Sequence, residues 1–171
     1  NFVIPNGIDL KSITKSTFNS DKLEGIFIGR LDIYQKGLDL FLEACGKIKD
    51  DLARNYCYFT IFGPEINGSK SKLKEIIKDY DLQDIVVVKD AIFDDEKAEK
   101  LLESDFFILT SRFEGHPMGL IEALSYGLPS LITSGANMSE EIIRSDAGWT
   151  ADISVDNIQR ALKELLLDKY N

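Results

Sequence analysis

The sequence predicts an α/β fold: a doubly wound, Rossmann-like parallel sheet of about six strands with helices on both faces. Three observations carry this. Short apolar runs alternate along the chain with segments of helical periodicity, and no internal repeat interrupts them. The runs are continuously apolar, the pattern of strands buried on both faces. Most of the unusual glycines, prolines and charges stand directly after those runs, where an open parallel sheet gathers its ligands.

Val3-Ile4-Pro5-Asn6-Gly7-Ile8-Asp9 reads as a short apolar segment ending in a turn, because Asn-Gly after Pro is a strong turn signal. The polar stretch up to Asp21 reads as loop. The first strand lies within 23–30, around Ile26-Phe27-Ile28, and ends in Gly29-Arg30. From Lys36 on, Leu38, Leu40, Phe41, Ala44, Cys45 and Ile48 recur at helical spacing. Tyr56 to Phe62, aromatic and β-branched, is a second strand that ends in Gly63-Pro64. Leu73, Ile76 and Ile77 mark an amphipathic helix over 71–80, and Ile85 to Val88 a third strand. Asp94 to Glu103 is a helix with acids in its first turn, where the helix dipole favours them. Phe106 to Leu109, a fourth strand, feeds a turn bearing glycine and proline, then a helix that stops at Gly127. Pro129 to Thr133 is a fifth strand, Met138 to Ile143 a short helix and Ala147 to Thr150 a sixth strand. The last helix, 155–167, turns Ile158, Leu162, Leu165 and Leu166 to the core.

A length of 171 residues suits one domain spanning 1–171. Hydrophobic content of 44% with 29% charged residues marks a globular chain, not a disordered one. The net charge of −9 argues against a general nucleic-acid partner. No apolar run approaches the length of a membrane span. The chain opens Asn1-Phe2-Val3 without methionine and is expected to be part of a longer protein. Cys45 and Cys57 read as buried thiols in a reducing compartment, with no His or Cys partners at metal-ligand spacing. No Gly-x-Gly-x-x-Gly follows the first strand, which weakens a dinucleotide dehydrogenase; no Gly-Lys-Ser/Thr is present, which excludes a Walker loop. Asp79-Tyr80-Asp81 ends a surface helix and is not read as a metal site.

The candidate site follows from the strand ends. Arg30 and Lys36, after the first strand, could neutralise a diphosphate, Arg by its fork and Lys as a point charge; alone, they could equally be solvated surface charges. Pro117 suits the first turn of a helix. The backbone N–H groups of Met118, Gly119 and Leu120 are then expected to face the site, with Gly119 letting a ligand approach closely. Glu114 stays in the loop and Glu122 enters the helix, so the two carboxylates are expected to touch different parts of one extended ligand and not to form a catalytic dyad. His116, the only histidine, could act as a general base, but no nucleophile with an obvious partner stands beside it, and it reads rather as a positioning or hydrogen-bonding residue or as one without a role.

Gly29-Arg30-Leu31 with Gln35-Lys36-Gly37, then Phe113-Glu114-Gly115-His116-Pro117-Met118-Gly119-Leu120-Ile121-Glu122-Ala123, then Gly127-Leu128-Pro129, resemble the nucleotide-sugar-binding half of the group 1 retaining glycosyltransferases of GT-B architecture. Val3 to Asp9 is similar to the segment with which that family enters its C-terminal domain. The likeness runs from residue 3 to about 165; its pieces are weak singly and specific in combination. It implies a donor domain that is one half of a GT-B fold, its acceptor-binding N-terminal domain absent from this chain, so that the piece alone transfers little.

By carry-over, Arg30 and Lys36 hold the diphosphate of a nucleotide-sugar donor and, with Glu114, form the catalytic set. Glu122 binds the ribose. Glu114, Gly115, His116, Pro117 and Met118 hold the sugar, and the Gly119 and Leu120 amides support the phosphates. The base lies near Ala91 and Ile92 and near Gly63-Pro64. The resemblance implies no cofactor and no metal, the leaving diphosphate being stabilised by cations and helix dipole. The expected donor is a UDP-sugar and the acceptor a glycan, a lipid-linked sugar or a polysaccharide. The whole protein is expected in the cytoplasm, in peripheral association with the inner face of a membrane. Two departures stand out: His116 replaces an aromatic or apolar residue, and Asp90-Ala91 replaces a turn that commonly holds glycine. Two other readings stay open, a non-catalytic nucleotide-sugar-binding module and half of a sugar-nucleotide epimerase.

Overall fold

Six parallel strands form one sheet: β1 (Leu23–Ile28), β2 (Cys57–Phe62), β3 (Val86–Lys89), β4 (Phe106–Leu109), β5 (Ser130–Thr133) and β6 (Gly148–Ala151), in the order β3-β2-β1-β4-β5-β6. The structure is a computed structural model that describes residues 14, 15 and 21–168. The apolar segment expected over Val3 to Asp9 lies outside the described residues. The strands are joined by α1 (Leu38–Lys47), α2 (Lys49–Arg54), α3 (Ser69–Asp79), α4 (Asp94–Glu103), α5 (Met118–Ser125) and α6 (Ser139–Arg144), and α7 (Val155–Asp168) follows β6. The chain thus winds outward from β1 to β3, returns to the centre at β4 and winds the other way. This is the doubly wound order, and the β1/β4 boundary is its switch point.

Burial explains why these segments became strands. β4 and β5 are buried at every position, and β1 and β2 bury most of theirs. The expectation of two covered faces fails at the edge: Val87 in β3 is 46% exposed, because an edge strand has a neighbour on one side only. Helix α1 packs on α3 and α7, whereas α5 lies on β4 and β5. Periodicity does not predict helix α2; it is short and charged, and Leu52 is its one buried residue.

A line of rings crosses the α1 side of the sheet. Phe41 meets Phe59 edge-on at 5.0 Å, Phe59 meets Phe106 at 5.9 Å, and Phe106 meets Trp149 at 6.5 Å. Gly25 of β1 stands in register between Phe59 and Phe106. A Cβ there would lie 2.6 Å from Phe59 and 2.7 Å from Phe106, so the glycine is what lets the two rings meet over the central strand. Directly before β4, next to Phe106, the buried Asp105 pairs with Lys15 at 2.9 Å, and its second carboxylate oxygen accepts the Glu24 N–H at 2.8 Å. Cys45 and Cys57 are both buried, and burial pushes the Cys45 thiol well above its ordinary value. Among the described residues no helix is long and apolar enough to cross a membrane.

The ring line yields a test. Gly25→Ala overpacks the centre of the sheet and should destabilise the fold by about 2 kcal/mol, read as a lower urea midpoint at unchanged slope. An unchanged midpoint would remove the reason given for a glycine in a central strand.

Candidate functional site

The site forms where the β1–α1 and β4–α5 loops meet above the switch point. Two contacts press them together. Gly37 adopts φ +60, and a Cβ on it would lie 2.0 Å from the Thr110 carbonyl oxygen. Thr110 Oγ1 in turn donates towards the carbonyls of Lys36 and Gly37, each at 3.2 Å. A side chain at position 37 would therefore suffer both left-handed strain and a backbone clash.

This approach brings Lys36 to Glu114. Lys36 Nζ donates to Glu114 Oε1 at 2.6 Å, with 13% and 6% of the two side chains exposed. Ser111 Oγ donates to the same carboxylate oxygen at 2.6 Å, and Asn137 Nδ2 donates to the Glu114 carbonyl at 2.9 Å. Three loops therefore hold Glu114: its own, the β1–α1 loop, and the one after β5. Arg30 is exposed and donates to Gln35 Oε1 at 3.2 Å. Glu122 lies on α5 and pairs at 2.8 Å with Lys97 of α4. Glu114 and Glu122 thus have separate cationic partners.

The expected amide seat is smaller than the sequence suggests. Pro117 is the N-cap of α5, at φ −81 and ψ 70, and the helix begins at Met118. The Met118 N–H donates to the His116 carbonyl at 2.9 Å and the Leu120 N–H to the Pro117 carbonyl at 3.0 Å, so neither faces a ligand. Among the described residues the Gly119 N–H has no partner. Gly119 also matters for packing. A Cβ there would lie 3.1 Å from the Ile28 carbonyl, so the glycine seats the helix start on the end of β1. Gly115 is exposed, with open space where a Cβ would project. His116 Nε2 is buried and has no hydrogen-bond partner among the described residues, the kind of orphaned polar atom that calls for an explanation.

The expected base-binding residues are unevenly presented. The Ile92 side chain and Gly63 are buried, and Gly63 packs within 2.0 Å, measured from a would-be Cβ, of the Gly29 carbonyl. Ala91 is half-buried and Pro64 exposed. Asp90 points to Lys70 on α3, whose hydrogen bond lowers its pKa.

Sequence reasoning missed Ser111, Asn137, Lys97 and the pair Arg112–Asp39. Arg112 forks Asp39 with two bonds of 2.7 Å, and those bonds raise its pKa further. The signal for Arg112 was its place within the loop that joins β4 to α5. Lys97 and Asp39 had none, since a charge on an amphipathic helix ordinarily belongs to a solvated face. Among the described residues no three His, Cys, Asp or Glu side chains converge on a point that could hold a metal.

Comparison with known proteins gives this edge its context. Residues 10–171 match the family described as Glycosyl transferases group 1. The chain belongs to that family. It is 32% identical over 124 residues to the amylovoran biosynthesis glycosyltransferase AmsK of Erwinia amylovora, covering 68% of this chain and 29% of that protein. It is 28% identical over 171 residues to a Campylobacter jejuni enzyme, N-acetylgalactosamine-N,N'-diacetylbacillosaminyl-diphospho-undecaprenol 4-alpha-N-acetylgalactosaminyltransferase, covering 97% of this chain and 44% of that protein. The chain thus spans less than half the length of these curated relatives. In fold it is similar to the crystallised C-terminal domain of a group 1 glycosyl transferase, LpcC of Francisella tularensis, with a TM-score of 0.79, 18% identity, and coverage of 96% of this chain and 90% of that one. The six-stranded parallel sheet is that of a Rossmann-like GT-B half.

The buried pair can be tested through stability. Lys36→Met strands the Glu114 carboxylate and should cost about 3 kcal/mol, whereas Lys36→Met with Glu114→Gln should recover more than half of it. A single variant as stable as wild type in denaturant unfolding would show that Glu114 does not need the lysine.

Proposed function

We propose that this chain is the donor-binding domain of a retaining glycosyltransferase, which moves a sugar from a nucleoside diphosphate to a glycan or lipid-linked acceptor. The observation that carries the reading is the meeting of Lys36 and Glu114 at 2.6 Å above the switch point of an open parallel sheet. Ligands of such sheets bind outside the carboxyl ends of the strands at the switch point.

The chemistry follows from charge. A departing nucleoside diphosphate develops negative charge as the bond to the sugar breaks, and preorganised positive groups lower that barrier. Lys36 has three N–H donors and spends one on Glu114, which leaves others for phosphate oxygens. Arg30, exposed on the same loop, adds a fork, and the Gly119 N–H at the start of α5 adds a neutral donor. Glu114, with Gly115 and the Pro117–Met118 turn, holds the sugar near its reacting carbon. His116 Nε2, buried and without a partner among the described residues, offers a hydrogen bond to a sugar hydroxyl. Glu122, set four residues into α5 and held by Lys97, accepts from ribose hydroxyls. The base rests against the 91–92 backbone and Pro64.

The names of the relatives support the acceptor class. One relative is named for amylovoran biosynthesis, and the name of another includes a diphospho-undecaprenol acceptor and a 4-alpha transfer. We take UDP-sugar as the donor and the cytoplasmic face of a membrane as the place of reaction, where a lipid-linked acceptor would be met.

Arg30 gives the cleanest test, since it is exposed and its removal strands no buried charge. In the enzyme that carries this chain, Arg30→Ala should cut kcat/KM for transfer about 100-fold with an unchanged melting temperature. Normal turnover would sink the diphosphate assignment, and an epimerised nucleotide-sugar as product would replace transfer with epimerisation.

A further inference from the structure

We propose that Arg112, acting through Asp39, is the positioning residue that fixes the phosphate cations Arg30 and Lys36 against the sugar-side carboxylate Glu114. The inference rests on the donor-site reading above. Arg112 stands in the β4–α5 loop two residues before Glu114, and its partners lie in the β1–α1 region. Its main-chain N–H donates to the Gln35 carbonyl at 2.8 Å. Nη1 and Nη2 fork the Asp39 carboxylate at 2.7 Å each, and Nη1 also donates to the Tyr34 carbonyl at 2.7 Å. The guanidinium carbon lies 4.4 Å from the centre of the Tyr34 ring. Arg112 therefore grips Tyr34 and Gln35, the two residues directly before Lys36.

Gln35 extends the grip to Arg30. Its Oε1 accepts from Arg30 Nη2 at 3.2 Å, and its Nε2 points back to the Phe113 carbonyl at 3.5 Å. A chain of contacts thus links Arg112, Gln35 and Arg30 on one side and Arg112, Phe113 and Glu114 on the other. Because Asp39 closes the fork, Arg112 is not aimed at a phosphate and acts through the loop. A purely stabilising role fits less well. The pair is partly open to solvent, with 18% of the Arg112 and 37% of the Asp39 side chain exposed, and whatever it adds to folding, its contacts run to the residues that carry the cations. Its geometry is that of a planar, bidentate lock, which lysine cannot reproduce.

The test uses the enzyme that carries this chain, with Arg112→Met and Asp39→Asn. Uridine, guanosine and adenosine diphosphates are titrated by calorimetry beside their monophosphates, and transfer is followed in parallel. The wild type should prefer the diphosphate of one base. Both variants should lose about tenfold of that preference, with kcat falling alongside it and monophosphate affinity retained. The double variant should be no worse than either single one. If Arg112→Met does not fold, Asp39→Asn, which keeps the arginine and removes its orienting charge, decides alone. A retained diphosphate preference in the variants overturns this inference and leaves the donor site standing. An equal loss of both affinities also overturns it, as general damage. A wild type without diphosphate preference overturns the donor reading and this inference together.

Discussion

The close approach of the β1–α1 and β4–α5 loops is the constraint on which the rest of the site depends. Gly37 and Thr110 touch there at backbone distance, and no larger residue fits at position 37. That contact is possible because β1 and β4 are neighbours in the sheet although widely separated in sequence. Once the loops are pressed together, Lys36 and Glu114 have little choice of partner. Each is largely withdrawn from water, and a withdrawn charge is tolerated only beside its opposite. The pair thus holds a cation and a carboxylate side by side before any ligand arrives, which is the preorganisation that charge-stabilising catalysis requires.

The same topology gives the two glutamates different settings. Glu114 is fixed from three loops, whereas Glu122 rides on a regular helix and is neutralised from a neighbouring one. Helix α5 can start so near β1 because Gly119 leaves the Ile28 carbonyl uncovered. The consequence is fewer amides for a ligand than a longer free turn would give, since Met118 and Leu120 already bond within the turn. In the proposed donor site, positive charge for a diphosphate would therefore come chiefly from side chains.

Much of this is legible in the sequence, and the exceptions are physical. Strands buried on both faces announce themselves, so β1, β2, β4 and β5 can be read nearly to their ends. Helix α2 is invisible because a single buried leucine makes no period. Arg30, Lys36 and Glu114 stand out as charges beside glycine after strand ends, Glu122 as an acid in the helix that follows, and the structure brings Lys36 to Glu114. Their partners do not stand out. Lys97, Asp39 and Asn137 become meaningful only through contacts across the fold, and Lys97 and Asp39 sit on helices where a charge is ordinary. The amide seat looks larger in the sequence than it is because Pro117 takes the N-cap position and not the first helical one, a shift of one residue that turns two donors inward.

The most direct measurement of the central claim is a titration of isotope-labelled protein with a nucleoside diphosphate, followed by amide chemical shifts. If the diphosphate sits at the switch point, the amides of Arg30, Lys36, Glu114, Gly115 and Gly119 should move together, and that of Glu122 with them as the ribose binds. Shifts confined to the cleft of about 580 Å³ between the β1–α1 loop and α3, lined by Leu31, Ile66 and Ile76, would contradict the account, as would no response at millimolar ligand.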